Sequence, residues 1–245
     1  MDNEMSYSEM QRKCQQEFLW ISFFGITGET CAKDRKERLN ACVNRAYRDL
    51  SRTLNYRLNT QGYRKSDKKK ADAEEAKAFA EAKVKFYREA NEKLHEQITS
   101  LLHSVSGEGI IDEVKFDEWH EDTCSHLISL ADDSGAFDDR GFTYGQAQKW
   151  VNMTMKYLFI MGIDNMEKLI PYLHVPIDSF IIKQAAKPRG TEYGLGVKRP
   201  PMDWSKLSKD EYLDYQERLR TAIGSTTCPL YWENDAWMHQ AEKQD

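Results

Sequence analysis

Residues 71–103 set Phe79, Phe86, Ala90, Leu94, Ile98 and Leu101 at helical steps, the pattern of a helix with one buried stripe. The remaining surface of that segment is densely charged. Glu81/Lys85 and Glu89/Lys93 follow the acid-before-base order that supports a helix one turn on. Residues 34–59 repeat the pattern with Leu39, Val43, Ala46, Leu50 and Leu54, and residues 113–131 with Phe116, Trp119, Thr123, Leu127 and Leu130 facing inward. Three start signals agree: Thr143 with Gln146, Asp164 with Glu167, and Ser208 with Glu211 each read as a capping box. Pro229 suits the first turn of a last helix. No segment reads as a strand and none repeats. The expected fold is all-α, with an N-terminal helical part over residues 1–105 and a second part over 106–245. The two either pack separately or share one domain.

At 245 residues the chain is long enough to bury a real core. Apolar residues make up 40% and charged residues 31%, which suits a globular protein rather than a disordered one. The run "FLWISFFGI", residues 18–26, is too short to span a bilayer. It follows Glu17 and has no basic leader, so it reads as a buried segment rather than a signal peptide. A cytoplasmic protein with no membrane partner is expected. The five cysteines (Cys14, Cys31, Cys42, Cys124, Cys228) form no C-x-x-C pair. That suits a reducing compartment and argues against a zinc ribbon or an iron–sulfur cluster, so the cysteines read as small buried side chains. His120 and Cys124 stand one turn apart with Glu121 and His126 near, yet no second ligand pair accompanies them, and a structural role is preferred. No metal and no cofactor are expected.

Charge is unevenly spread along a chain whose net charge is −5. Residues 106–140 hold eleven acids and two bases, while residues 141–206 hold nine bases and five acids. The basic stretch includes Lys183, Lys187, Arg189, Lys198 and Arg199, a set able to attract phosphates despite the acidic total. The cationic run "RKSDKKK", residues 64–70, reads as a solvated linker.

The basic portion contains "GQAQKWVNMTMKYL", residues 145–158. Ala147, Val151, Thr154, Leu158 and Met161 form a core stripe. Gly145, Lys149, Asn152 and Lys156 form a second, polar stripe of the same period. Gly145 costs helix stability and implies a close approach to the backbone. With Trp150, Met153, Tyr157 and Phe159 on the flanks, little of this helix can face water, so the polar seam is expected to line a cleft. Farther on, "HVPID" opens the helix "SFIIKQAAK" with Asp178 as its N-cap. A carboxylate at a helix start is held by fixed donors and stays ionised near neutral pH.

The G-x-x-x-K-x-x-N opening of an apolar helix, followed by h-V-P-h-D opening another, resembles the core of the helix-hairpin-helix DNA glycosylases. Within that superfamily it is closest in pattern to the archaeal 8-oxoguanine glycosylase branch. The likeness covers residues 141–183, and "RGFTYGQAQK" stands where the family carries its L-P-G-V-G hairpin. The resemblance implies Lys149 as nucleophile and Asp178 as general catalyst. It also implies that Gly145, Gln148, Trp150 and Asn152 meet the substrate and that the partner is double-stranded DNA with a damaged or modified base, while the positive balance of residues 141–206 marks Lys198 and Arg199 as its phosphate contacts. In such chemistry an unprotonated amine attacks C1′ of the sugar, and burial among apolar groups favours that state. A carboxylate beside it steadies the positive charge that grows on the sugar. The flipped base needs aromatic surface, for which Trp119, Phe142, Trp150, Phe180 and Trp204 are available.

Two other readings remain open. The seam can belong to a non-catalytic helical interaction protein. Arg88 and His95 also satisfy the loose R-x(4–6)-H spacing of HEPN ribonucleases, which are helical too.

Overall fold

In the computed structural model, residues 6–27, 34–58, 73–107 and 109–241 are described. They build nine α-helices: α1 Tyr7–Phe24, α2 Arg35–Leu50, α3 Ala73–Ser104, α4 Glu113–Ser134, α5 Tyr144–Ile160, α6 Met166–Leu169, α7 Ser179–Ala185, α8 Lys209–Ile223 and α9 Pro229–Ala241. No strand occurs among the described residues, only the isolated bridges Tyr56–Phe137 and Arg189–Thr191. The protein is all-α. Residues 64–70 and Cys31 lie outside the described residues.

The helix boundaries follow local chemistry. Asp34 caps α2 by accepting from the amides of Lys36 and Glu37, and Asp112 caps α4 by accepting from Lys115. α4 ends at Gly135, whose φ of 66° is the left-handed stop that glycine adopts without strain. The capping boxes of Thr143/Gln146 and Ser208/Glu211 are both present. The stripe expected to run to Leu54 stops early. α2 ends at Leu50 and a 3-10 turn, Ser51–Thr53, takes over. There the hydroxyls of Ser51 and Thr53 bond the carbonyls of Arg48 and Leu50, replacing the next helical turn. The Asp164/Glu167 box does not form. Asn165, at φ 71° and ψ 0°, interrupts the backbone, and α6 starts only at Met166 with no side-chain cap.

The core is built around α5, with fourteen of its seventeen residues buried. α2, α4 and α8 surround it, and α3 packs against α2 and α4. Trp150 is fully buried. Its ring lies 4.9 Å from Tyr47 and 6.2 Å from Phe86, and its Nε1 donates to the Val43 carbonyl at 3.1 Å. Truncating such a residue typically costs about 3–5 kcal/mol. One apolar cluster takes in residues on both sides of position 105.

The expectation that residues 18–26 are buried is corrected. They form the end of α1, where Phe18, Leu19, Ile21 and Phe23 are 70%, 63%, 53% and 40% exposed. Only one edge of the helix meets the core, through Trp20 and Phe24, with Ile26 just beyond its end. Phe23 and Phe24 stand edge-on to Tyr157, and Arg45 covers Phe23. No described helix is long and apolar enough to cross a membrane. Of the cysteines, Cys42 and Cys124 are buried as expected, Cys14 is exposed and Cys228 is half-buried.

Candidate functional site

Asp178 sits where the backbone turns into α7. Its Oδ1 accepts from the amides of Phe180 and Ile181 at 3.0 and 2.9 Å. Its Oδ2 faces α5, and Lys149 Nζ donates to it at 2.9 Å. Both oxygens are therefore engaged. The Lys149 side chain is 9% exposed and that of Asp178 23%. Burial alone pushes the Asp178 carboxyl up. The charge and hydrogen bond of Lys149, with the two amides, outweigh it and hold the carboxyl below the usual carboxylate range.

The polar stripe of α5 is buried along its length, roofed by later elements rather than lining an open cleft. Lys149 ends on Asp178, Asn152 on Tyr212 of α8, and Lys156 on Glu233 of α9. The last pair is buried on both sides, with Nζ and Oε2 2.6 Å apart. Burial pushes the Glu233 carboxyl up, against the pull of Lys156 and Lys149. Trp237 of α9 lies over the Lys156 amine at 5.8 Å.

The residues expected to meet substrate on α5 are turned inward. A Cβ on Gly145 would stand 2.0 Å from the Trp204 carbonyl oxygen, and the Gly145 amide donates to the Leu207 carbonyl at 3.0 Å. The close approach inferred from this glycine is therefore made by the protein's own 204–207 segment. Gln148 and Trp150 are fully buried and Asn152 is 3% exposed. Of the five aromatic candidates, Phe142 and Trp150 belong to the core, and Trp119 donates to the Gln97 carbonyl. Phe180, two residues beyond Asp178, and Trp204, against the start of α5, are half-buried. Lys198, Arg199 and Lys183 are exposed. Lys187 donates to Gln184, and Arg189 to the Leu195 carbonyl.

Beneath the pair runs a hydrogen-bonded chain not anticipated from the sequence. Gln148 Oε1 accepts from Asn152 Nδ2 at 2.9 Å, and the same nitrogen donates to Tyr212 Oη at 2.8 Å. Tyr212 donates to His174 Nδ1 at 2.7 Å, and His174 Nε2 donates to Asp117 Oδ1 at 2.6 Å. Arg220 clamps both Asp117 oxygens at 2.7 Å. His120 Nε2 donates to Asn152 Oδ1 at 3.0 Å from the side. Burial holds His174 and His120 below the ordinary histidine value, so both stay neutral. Burial opposes ionisation of Asp117, but Arg220 and His174 win and hold it far below the carboxylate range. The chain emerges at a cavity of about 440 Å³ lined by Asp117, Glu121, His174, Asp214, Gln216 and Arg220, which does not include Lys149 or Asp178. The sequence signal for this chain was faint: His174 opens "HVPID", and Tyr212 lies one turn before Gln216.

The other candidates fall elsewhere. Cys124 Sγ approaches His120 Nδ1 at 3.8 Å within the core, and no group of three possible ligands is placed to hold a metal among the described residues. Arg88 points outward beside Glu89 on α3, while His95 is half-buried and held low by burial and by Lys36. No family model matches the sequence, and no curated protein or solved structure is similar to it.

Proposed function

We propose that this chain is a DNA-acting enzyme of the glycosylase type, with Lys149 as nucleophile and Asp178 as the carboxylate that serves it. One observation carries the reading: Lys149 Nζ lies 2.9 Å from an Asp178 carboxylate whose other oxygen is fixed by two helix amides. The two groups stand twenty-nine residues apart in sequence, and the acid that accepts from this amine is the one the resemblance singles out. Asp178 accepts the proton that Lys149 must lose. The amine then bonds C1′ as the bond to the base breaks, the base leaves with a proton, and opening of the sugar ring yields an imine. Once Asp178 has passed that proton to the departing base it is ionised again and steadies the positive charge on the sugar. Phe180 offers a ring beside the carboxylate, and Lys183, Lys198 and Arg199 offer exposed charge for phosphates. DNA duplexes carrying single oxidised, deaminated or alkylated bases, incubated with the protein and borohydride, test the reading. A covalent adduct on one of them is the expected result. No adduct and no base release on any of them sinks the reading.

A second reading has its own support. α1 exposes Tyr7, Met10, Phe18, Leu19 and Ile21, and apolar surface of that kind on one helix suits a protein-binding module. On that reading Lys149 and Lys156 are both structural, each neutralised by its acid. Wild-type behaviour of Lys149→Gln in the trapping assay, with loss of a protein complex on truncating α1, would favour it.

A further inference from the structure

The cap on Asp178 fixes its carboxylate relative to α7 alone. α7 is seven residues long and packs against α9 through its body, and the chain enters it at Asp178. The place of Asp178 relative to Lys149 therefore depends on the turn that delivers the chain to α7, residues 174–178. That turn is held almost wholly by side chains. Val175 donates its amide to Gln216 Oε1 at 3.2 Å and accepts from Gln216 Nε2 at 2.6 Å. The Ile177 carbonyl accepts from Gln148 Nε2 at 3.2 Å. Pro176 has no amide to offer and fixes its own φ. The two glutamines are fully or almost fully buried. They are tied together, because Gln216 Nε2 donates to Tyr212 Oη at 3.1 Å and Asn152 bridges Tyr212 to Gln148.

We infer that Gln148, Tyr212 and Gln216 are positioning residues, which act through the 174–178 turn to hold the Asp178 carboxylate against Lys149. The inference rests on the reading of Lys149 and Asp178 as the reacting pair. None of the three needs to touch substrate. Gln148 sits one residue before Lys149 on α5, so it ties the turn to the helix that carries the amine. Gln216 and Tyr212 tie the same turn to α8. Every donor and acceptor in the set has a partner, which is the condition for a buried polar network to impose one arrangement.

The test reads Asp178 directly. Its carboxyl signal is followed by carbon-13 NMR against pH and assigned by its loss in Asp178→Asn. Gln216→Leu leaves the Val175 amide and carbonyl unbonded, and Tyr212→Phe removes one hydroxyl and little volume. In both variants a loosened turn weakens the pull of Lys149, so the midpoint should rise by about 1 pH unit, the small end of what an adjacent opposite charge contributes. Leu94→Ala, a core truncation in α3, should leave the midpoint in place. If Gln216→Leu does not fold, Tyr212→Phe decides. Folded variants with the wild-type midpoint overturn the inference, as does an equal shift in Leu94→Ala. On a trapped substrate, Tyr212→Phe should lower kcat toward the roughly 10²-fold cost of a misplacement of about 1 Å, with KM unchanged. Absence of trapping in the wild type counts against the glycosylase reading alone, and the titration still decides the positioning claim.

Discussion

Lys149 and Lys156 stand two turns apart on one face of α5, and each amine ends on a carboxylate brought by a different later helix. The pairs are not equivalent. Asp178 is partly exposed and held ionised, whereas Glu233 is 3% exposed and pushed toward the neutral form. The proposed chemistry is accordingly placed on the first pair, and the second is read as packing.

Lys149→Gln should abolish borohydride trapping while leaving DNA binding nearly intact. Asp178→Asn keeps the helix cap, since asparagine caps as well as aspartate, and should cut turnover by about 10²-fold or more. It also strands a buried ammonium, at up to about 3–5 kcal/mol. The double variant should recover part of that stability without recovering activity. Urea melts and single-turnover base release, run side by side, separate the two effects.

For the second pair, Lys156→Met should cost about 3–5 kcal/mol at neutral pH by leaving Glu233 charged and alone. Glu233 already lies above its ordinary value when folded, so the folded variant binds a proton more readily than the unfolded chain. Its stability should fall as pH rises above about 4.5 and return on acidification toward that value. Denaturant midpoints between pH 5 and 8 give the slope. A variant equally unstable across that range contradicts the assignment.

Acid should loosen the wild type in two stages. His120 and His174 are depressed when folded, so the unfolded chain takes up their protons first. Stability should decline as pH falls below about 6.5, by up to about 1.4 kcal/mol per pH unit for each histidine. Asp117 and Asp178, also depressed, should add their loss only below about pH 4. Melting temperature against pH is the measurement, and His120→Gln should flatten the upper stage.

Gly145→Ala should destabilise by roughly 1–3 kcal/mol, because its new methyl meets the Trp204 carbonyl and the 204–207 segment must move. If the glycine instead made room for substrate, the alanine variant would fold normally and lose only binding. Calorimetry without DNA distinguishes the two.

Replacing Lys198 and Arg199 together by alanine should weaken DNA binding regardless of sequence and reduce the salt dependence by about 2 counterions. Binding isotherms at several salt concentrations supply the slope. An unchanged slope places the DNA elsewhere.

What the sequence made legible was local. Thr143, Ser208, Asp178 and Pro229 start helices because a cap needs only residues within one turn. The polar stripe of α5 was visible as a period, but its roof was not. Glu233 lies seventy-seven residues from Lys156, and nothing within a helical window names such a partner. The same limit hid the route from Gln148 to Arg220, which passes through α4, α5 and α8. Two local readings also failed. Asn165 adopts a left-handed backbone that moves the start of α6 past Asp164. The aromatic run of α1 has the composition of core, yet only one edge of that helix finds a surface to cover.

The roof over α5 also sets an order of assembly. Its lysines are made long before Asp178, Tyr212 and Glu233, and contacts of that separation form slowly. During synthesis, α2, α3 and α4 can already pack on the apolar side of α5 while its charged side still faces water. The last cover arrives only with Glu233, in α9. A ribosome paused shortly before that point would hold a chain in which Asp178 can already meet Lys149 while the Lys156 ammonium still lacks its acid.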